Sequence, residues 1–325
     1  MVPATREHPG AYTIVRILVF ASMLAGSGVA TYYWMHGQAG PKVSSRFQRV
    51  AVPGERYHLV RPEWRPRIFA TSTARVLGLG EPSRSRHRIA LFFALGLCLT
   101  GLAYLFVDQR AAPFMLLGTF VSLVYSGSPR AENTWYPWDV PALVLSAAIL
   151  ALAVRRRVIP LAMVVVLAVL FKETLAVAAF FFLFYEGRNW RWRATWTGGV
   201  LAISGALRLG VESVVGGSYP HQDFLHVHGK PDRPLRLLDN LRYLFETHPN
   251  HVLWTNVGLW LTVLIIPTRD PVLKGFKWIV ALHYLGVFLA GSFNEFRVFY
   301  EVLPGSLLLA HQVFADARDR PRELP

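Results

Sequence analysis

Four mostly apolar stretches, each 17 to 21 residues long, constrain the fold of this chain more than any other feature. They cover residues 17–34, 89–107, 195–215 and 276–292. A helix that crosses the hydrocarbon core of a bilayer needs about 17–25 such residues. The composition agrees, because only 17% of the 325 residues are charged, whereas a soluble domain carries roughly 25%. The sequence therefore predicts an integral membrane protein and excludes an ordinary soluble enzyme.

Further apolar runs are shorter and extend the same pattern. They cover residues 111–125, 140–154, 252–266 and 298–314. Another run, 158–185, has 28 residues, which is too long for one crossing and too short for two full ones. Lys172 and Glu173 interrupt it near its middle, so we predict a hairpin of two short helices that turns there. The expected fold is an all-α transmembrane helix bundle of about ten crossings, with residues 1–325 forming a single integral membrane domain.

The distribution of Lys and Arg residues orients this bundle, because short cytoplasmic segments collect these residues. If the 158–185 run is a hairpin, the short inside segments hold fifteen basic residues and the short outside segments hold three. A single long helix would instead place either the arginines of 155–157 or those of 188–193 outside. The hairpin is therefore favoured, with both termini in the cytoplasm.

The first apolar stretch allows two interpretations. Its basic start and apolar centre also fit a cleaved signal peptide. Ser22, Gly26 and Ala30 recur at four-residue spacing, which is the small-residue face that membrane helices use for packing. This spacing favours an uncleaved membrane anchor.

Several ionisable residues lie at the ends of the apolar runs, on the outer side in this topology. They are Asp139 before one run, Lys172 and Glu173 at the hairpin turn, and Glu295 and Arg297 between the last two runs. Ionisable groups at membrane depth are costly and usually mark a functional site or pathway. We therefore predict a polar crevice that opens on the outer face.

Simpler structural roles stay open for each of these groups. Lys172 and Glu173 also fit a polar turn whose charges reach water, and Glu295 with Arg297 also fits an ion pair between two helices. Asp139 precedes Val140 and Pro141, so it is also well placed to cap a helix N-terminus.

Two long outer-face loops border the predicted crevice. The first, 35–88, contains Glu55, Glu63, Arg65 and Arg67. The second, 216–251, contains four residues of metal-ligand type without a tight ligand spacing. These are His221, Asp223, His226 and His228.

The net charge of +14 indicates anionic partners. The basic residues are spread around the apolar runs, which favours membrane lipids and phosphates over nucleic acid. The sequence contains no glycine-rich phosphate loop, no GxSxG motif and no HExxH motif. These absences argue against cytosolic nucleotide chemistry.

Four short motifs, combined with this layout, resemble bacterial polytopic membrane proteins of the GT-C glycosyltransferase superfamily. The motifs are YHLVRPEWRPR at 57–67, WYPWD at 135–139, KET at 172–174 and NEFR at 294–297. The resemblance implies a multi-pass protein of the bacterial inner membrane, with a polyprenyl-phosphate sugar as donor. It places the active site at the outer face, beneath the first long loop.

The resemblance also implies a catalytic carboxylate, usually an aspartate of the first outer loop. Residues 35–88 contain no aspartate, so the candidates are Glu55 and Glu63 in that loop and Asp139 beside it. We rank Asp139 first, because a helix end constrains its position. No metal site is assigned, and a divalent cation stays open.

Transfer from a phosphate donor also needs fixed positive charge on the departing phosphate. The predicted cations are Arg65, Arg67, Lys172 and Arg297, with Glu173 and Glu295 beside them in the crevice. Two other functions stay open. One is a non-catalytic scaffold or assembly subunit of an envelope polysaccharide pathway, and the other is a carrier or flippase for an anionic amphiphile.

Overall fold

The computed structural model describes residues 9–39, 67–79, 85–126, 136–215, 263–268, 270–290 and 299–319. These ranges are helical and contain no β-strand. The helices are α1 (Pro9–Trp34), α2 (Ile68–Val76), α3 (Ser85–Val107), α4 (Ala112–Ser126), α5 (Asp139–Val154), α6 (Val158–Ala168), a 3-10 helix (Glu173–Phe184), α7 (Trp190–Val215), α8 (Pro271–Ala290) and α9 (Leu303–Asp319). A short π-helical segment, Met35–Ala39, continues α1.

Four of these helices are long and apolar enough to cross a membrane, and they match the four long stretches of the sequence. They are α1, α3, α7 and α8. Large apolar side chains such as Leu95, Leu99 and Phe106 of α3 are exposed on the bundle surface, as expected for contact with lipid tails. Over the described residues the prediction of an all-helical membrane protein is confirmed, while the number of crossings stays a prediction.

The 158–185 run is divided in two, as its interrupting charges predict. Helix α6 ends at Ala168, and the 3-10 helix begins at Glu173 after Lys172, whose backbone is extended. A 3-10 helix rises about 2.0 Å per residue, so these 12 residues span about 24 Å instead of the roughly 18 Å of an α-helix. The break between the two helices is where irregular backbone and charged side chains meet.

Part of the first long loop is built into the bundle. Helix α2 packs beside the break, where the Phe69 backbone N–H donates to the Leu170 carbonyl oxygen at 3.3 Å. The Phe69 and Phe171 rings meet edge to face at 5.6 Å. Ala70 is buried together with Trp138, just before α5. This docking brings Arg67, at the N-terminus of α2, to the break in the 158–185 run.

Two glycines let helices approach closely around the same region. A methyl group on Gly96 of α3 would overlap Val140, the second residue of α5. A methyl group on Gly305 of α9 would overlap the Phe276 ring of α8. The beginnings of α5 and α9 are therefore held against their neighbours, and each carries or follows a buried carboxylate.

Candidate functional site

Lys172 is the centre of a buried set of charges that we call the lysine triad, consisting of Asp139, Lys172 and Glu301. Its side chain is 6% exposed, and those of Asp139 and Glu301 are 0% and 5% exposed. Lys172 Nζ lies 3.8 Å from Asp139 Oδ1 and 2.5 Å from Glu301 Oε1. These contacts are ion pairs and not aligned hydrogen bonds. The triad joins the start of α5, the helix break and the turn before α9.

Asp139 has a different local role from the predicted helix cap. Trp138 occupies the capping position without a side-chain hydrogen bond, and Asp139 is the first residue of α5. Asp139 Oδ2 instead accepts the backbone N–H of Tyr136 at 2.8 Å. The carboxylate therefore holds the turn before the helix, where the Tyr136 and Trp138 rings stack at 4.6 Å.

Glu173 is the centre of a second set of charges, which we call the arginine pair and which consists of Glu173 with Arg67 and Arg208. Arg67 Nε donates to Glu173 Oε2 at 3.0 Å, and its Nη2 donates to Oε1. The Arg67 guanidinium also lies 4.3 Å from the centre of a Trp138 ring. Arg208 Nη2 is 3.7 Å from Glu173 Oε2. Two guanidinium groups favour the ionised carboxylate.

Arg208 and Glu301 are site residues that sequence reasoning missed. Arg208 lies within α7, where its Nε donates to Glu212 Oε1 at 2.8 Å, one helical turn away. A signal is present in the sequence, because an arginine and a glutamate four residues apart inside an apolar stretch are costly at membrane depth. Glu301 lies in the last apolar run, where a single carboxylate carries the same signal.

Four of the nine predicted site residues are brought together. The Asp139–Lys172 ion pair and the Arg67–Glu173 hydrogen bonds meet where Lys172 and Glu173 adjoin. The other five lie outside the described residues and stay predictions. They are Glu55, Glu63, Arg65, Glu295 and Arg297.

Two spaces lie at or near the helix break. A cavity of about 30 Å³, room for a water molecule or two, is lined by Ser146, His283 and Glu301 among apolar side chains. Ser146 Oγ has no hydrogen-bond partner in the described part of the chain. An open apolar groove runs along α2, and its lining includes Phe69 and Phe171.

The described ranges hold no group of three or more His, Cys, Asp or Glu residues close enough to bind a metal ion. The predicted histidine-rich segment of the second long loop lies outside those ranges. The charged side chains that the structure describes at the site are carboxylates, guanidinium groups and one ammonium group.

Comparison with protein-family models, curated proteins and solved structures finds no match to this chain.

Proposed function

We propose that this chain is a membrane glycosyltransferase that takes a sugar from a polyprenyl-phosphate donor at the ionic cluster formed by the lysine triad and the arginine pair. The supporting observation is that separate segments of the chain deliver cations and carboxylates to one connected site. Arg67 comes from the first long loop, Asp139 from the start of α5, and Lys172 and Glu173 from the helix break. Buried charges in a membrane bundle are rarely kept without a functional use.

The reaction needs a proton acceptor and a positively charged site for the leaving group. The acceptor hydroxyl oxygen attacks the anomeric carbon, and the bond from that carbon to the phosphate oxygen breaks. The hydroxyl proton passes to a carboxylate, which contributes typically about 10²–10⁴-fold to the rate. The polyprenyl phosphate leaves with the bonding electron pair, and guanidinium groups stabilise its growing charge.

The roles within the cluster follow from contact and exposure. Asp139 contacts Lys172 and a backbone N–H and is fully buried, which suits a residue that positions Lys172. Direct proton transfer by Asp139 would need a conformation in which its carboxylate reaches the acceptor. Glu63 and Glu55 are the alternative bases. The cations of the proposal are Arg67 and Lys172, together with Arg65 and Arg297 outside the described residues.

A transfer assay tests this proposal directly. Purified protein is incubated with a panel of polyprenyl-phosphate sugars that carry labelled sugars, and donor consumption is followed. Asp139→Asn, Glu63→Gln and Glu55→Gln are compared, with folding monitored by gel filtration. The amide of the Asp139→Asn variant keeps an oxygen for the Tyr136 N–H, so the folded variant reports on the lost charge. We expect loss of turnover in the variant that removes the base, and consumption of no donor by wild-type protein would contradict the proposal.

The proposal includes the topology in the bacterial inner membrane. Ten crossings and two cytoplasmic termini place the helix break on the outer face. Single cysteines at positions 156, 190 and 295, in a Cys98→Ser background, can be treated with an impermeant thiol reagent. Positions 156 and 190 are expected to be protected in intact cells, and position 295 to be labelled. Labelling of position 190 from outside would overturn the hairpin and invert every segment after it.

The complete burial of Asp139 favours a second candidate, a non-catalytic assembly subunit of an envelope polysaccharide pathway. In that case the lysine triad ties α5, the helix break and α9 together and no proton is transferred. The same assay separates the two functions, because an assembly subunit consumes no donor. Loss of copurifying pathway proteins in a folded Lys172→Met variant would support the second candidate.

A further inference from the structure

Arg208 has more hydrogen-bonding capacity than its contacts use. The residue lies in α7, a helix long and apolar enough to cross a membrane, and it is only 9% exposed. A guanidinium group carries five N–H donors, and Glu212 takes the one on Nε. Nη1 and Nη2 are buried and make no hydrogen bond within the described part of the chain. Four charged donors are therefore left for an acceptor, and buried donors of this kind are rarely left unsatisfied.

One of the nitrogens that carry these donors, Nη2, approaches the Glu173 carboxylate, which Arg67 also contacts. Arg67 holds the Glu173 carboxylate through two hydrogen bonds and also stacks on Trp138. Arg208 only approaches the same carboxylate, with its Nη2 at 3.7 Å, which is beyond hydrogen-bond distance. Glu173 is thus bound firmly by Arg67 and loosely by Arg208. The Glu173 side chain is 32% exposed.

We propose that Arg208 binds the phosphate group of a membrane lipid, and that Glu173 is an internal carboxylate that competes with this phosphate. Two phosphate oxygens accept from Nη1 and Nη2, the side-on geometry for which guanidinium is suited. The phosphate replaces the loose contact of Arg208 with Glu173, while Arg67 keeps Glu173 in place. In taking the phosphate to be lipid-linked, the inference rests on the proposed function.

The neighbouring groove favours a lipid as the source of the phosphate. Its lining includes Phe69 and Phe171, which lie two residues along the chain from Arg67 and Glu173, respectively. Its volume is about 360 Å³ and its lining is mostly apolar, with Val76 and Leu77 at the far end of α2. A hydrocarbon chain in this groove would lie along α2, whose N-terminus carries Arg67. Free phosphate would use the cations and leave the groove empty.

Equilibrium binding of radiolabelled phosphatidic acid to the full-length protein in a neutral detergent tests the site without any sugar donor. We expect Arg208→Gln to weaken binding about 10- to 100-fold, the range for loss of charge-assisted hydrogen bonds. Glu173→Gln is expected to tighten binding several-fold, because it removes the competing charge. Arg156→Gln is the control, since Arg156 is exposed and pairs with Glu186 on the surface.

Each outcome decides the proposal. Arg208→Lys guards against misfolding of Arg208→Gln, because it keeps the charge with fewer fixed donors, and it is expected to bind with intermediate affinity. Wild-type affinity in both Arg208 variants would overturn the site. Weaker binding in Glu173→Gln would also overturn it, because Glu173 would then support the site and not compete for it. Competition by inorganic phosphate as strong as that by phosphatidic acid would exclude the lipid source.

These measurements fail independently of the proposed function. Phosphatidic acid carries no transferable sugar, so its binding does not depend on glycosyl transfer. A protein that binds it through Arg208 but consumes no sugar donor would keep the phosphate site and lose the transferase. A protein that consumes donor but binds phosphatidic acid with the same affinity in wild-type and Arg208→Gln forms would keep the transferase and lose this phosphate site.

Discussion

The two sets of charges at the helix break are built differently, although Lys172 and Glu173 are adjacent in the chain. In the lysine triad all three side chains are almost completely buried, and the ammonium group contacts both carboxylates. In the arginine pair the carboxylate is partly exposed, and Arg208 keeps unused donors. The first arrangement is suited to holding helices together. The second is suited to exchanging an internal anion for an external one.

Removal of the ammonium group from the triad is expected to have the largest effect on stability. Lys172→Met takes away the cation that Asp139 and Glu301 both contact. Breaking a buried ion pair by deleting one partner costs about 3–5 kcal/mol, because a buried charge loses its compensation. We expect a large fall in the thermal unfolding midpoint of the purified protein.

The control for this variant is Lys274→Met, which removes an exposed lysine of α8. Adding Glu301→Gln to Lys172→Met is expected to recover part of the loss, because it removes one of the two uncompensated charges. An equal effect of Lys172→Met and Lys274→Met would show that the triad does not stabilise the bundle.

Close helix packing beside the triad gives the second effect. Gly305→Ala places a methyl group into the Phe276 ring, and overpacking of this kind costs typically about 1–3 kcal/mol. Gly26→Ala is the matched control, since nothing lies within 4 Å of the added methyl group. We expect a lower unfolding midpoint only for Gly305→Ala, with unchanged affinity for phosphatidic acid. A parallel loss of affinity would mean that the two sets of charges are not separable.

Local sequence predicted the helices and the break, but not all of the pairing at the site. Lys172 and Glu173 interrupt an apolar run, so the division of that run follows from hydrophobicity alone. The contact of Arg67 with Glu173 joins residues 106 positions apart, and nothing near either residue specifies it. The docking of α2 on the break creates this contact, and that docking depends on the tertiary packing of Phe69 and Phe171.

Arg208 and Glu301 show a different limit of prediction from sequence. Both lie in apolar stretches that average hydrophobicity assigns to membrane helices, and an average conceals a single charge. Their partners come from other parts of the bundle, as with Arg208 and Glu173 or Glu301 and Lys172. Asp139 lies at the predicted start of a helix, but its hydrogen bond runs back to Tyr136 and not forward into the helix. The hydrogen-bond partner of Asp139 depends on the geometry of the turn before α5.

The smallest expected effect distinguishes the contact of Arg67 with Glu173 from that of Arg208 with Glu173. Arg67→Lys keeps the charge but loses the two-pronged contact and the stacking on Trp138. Because Glu173 is partly exposed, we expect the free energy of unfolding to fall by only about 0.5–1.5 kcal/mol.

Double-mutant cycles with Glu173→Gln separate the two pairs. The coupling of Arg67 with Glu173 should be about 1 kcal/mol, and that of Arg208 with Glu173 within about 0.5 kcal/mol of zero. Equal couplings would mean that Arg208 holds Glu173 as firmly as Arg67 does, and a phosphate could then not replace that contact easily.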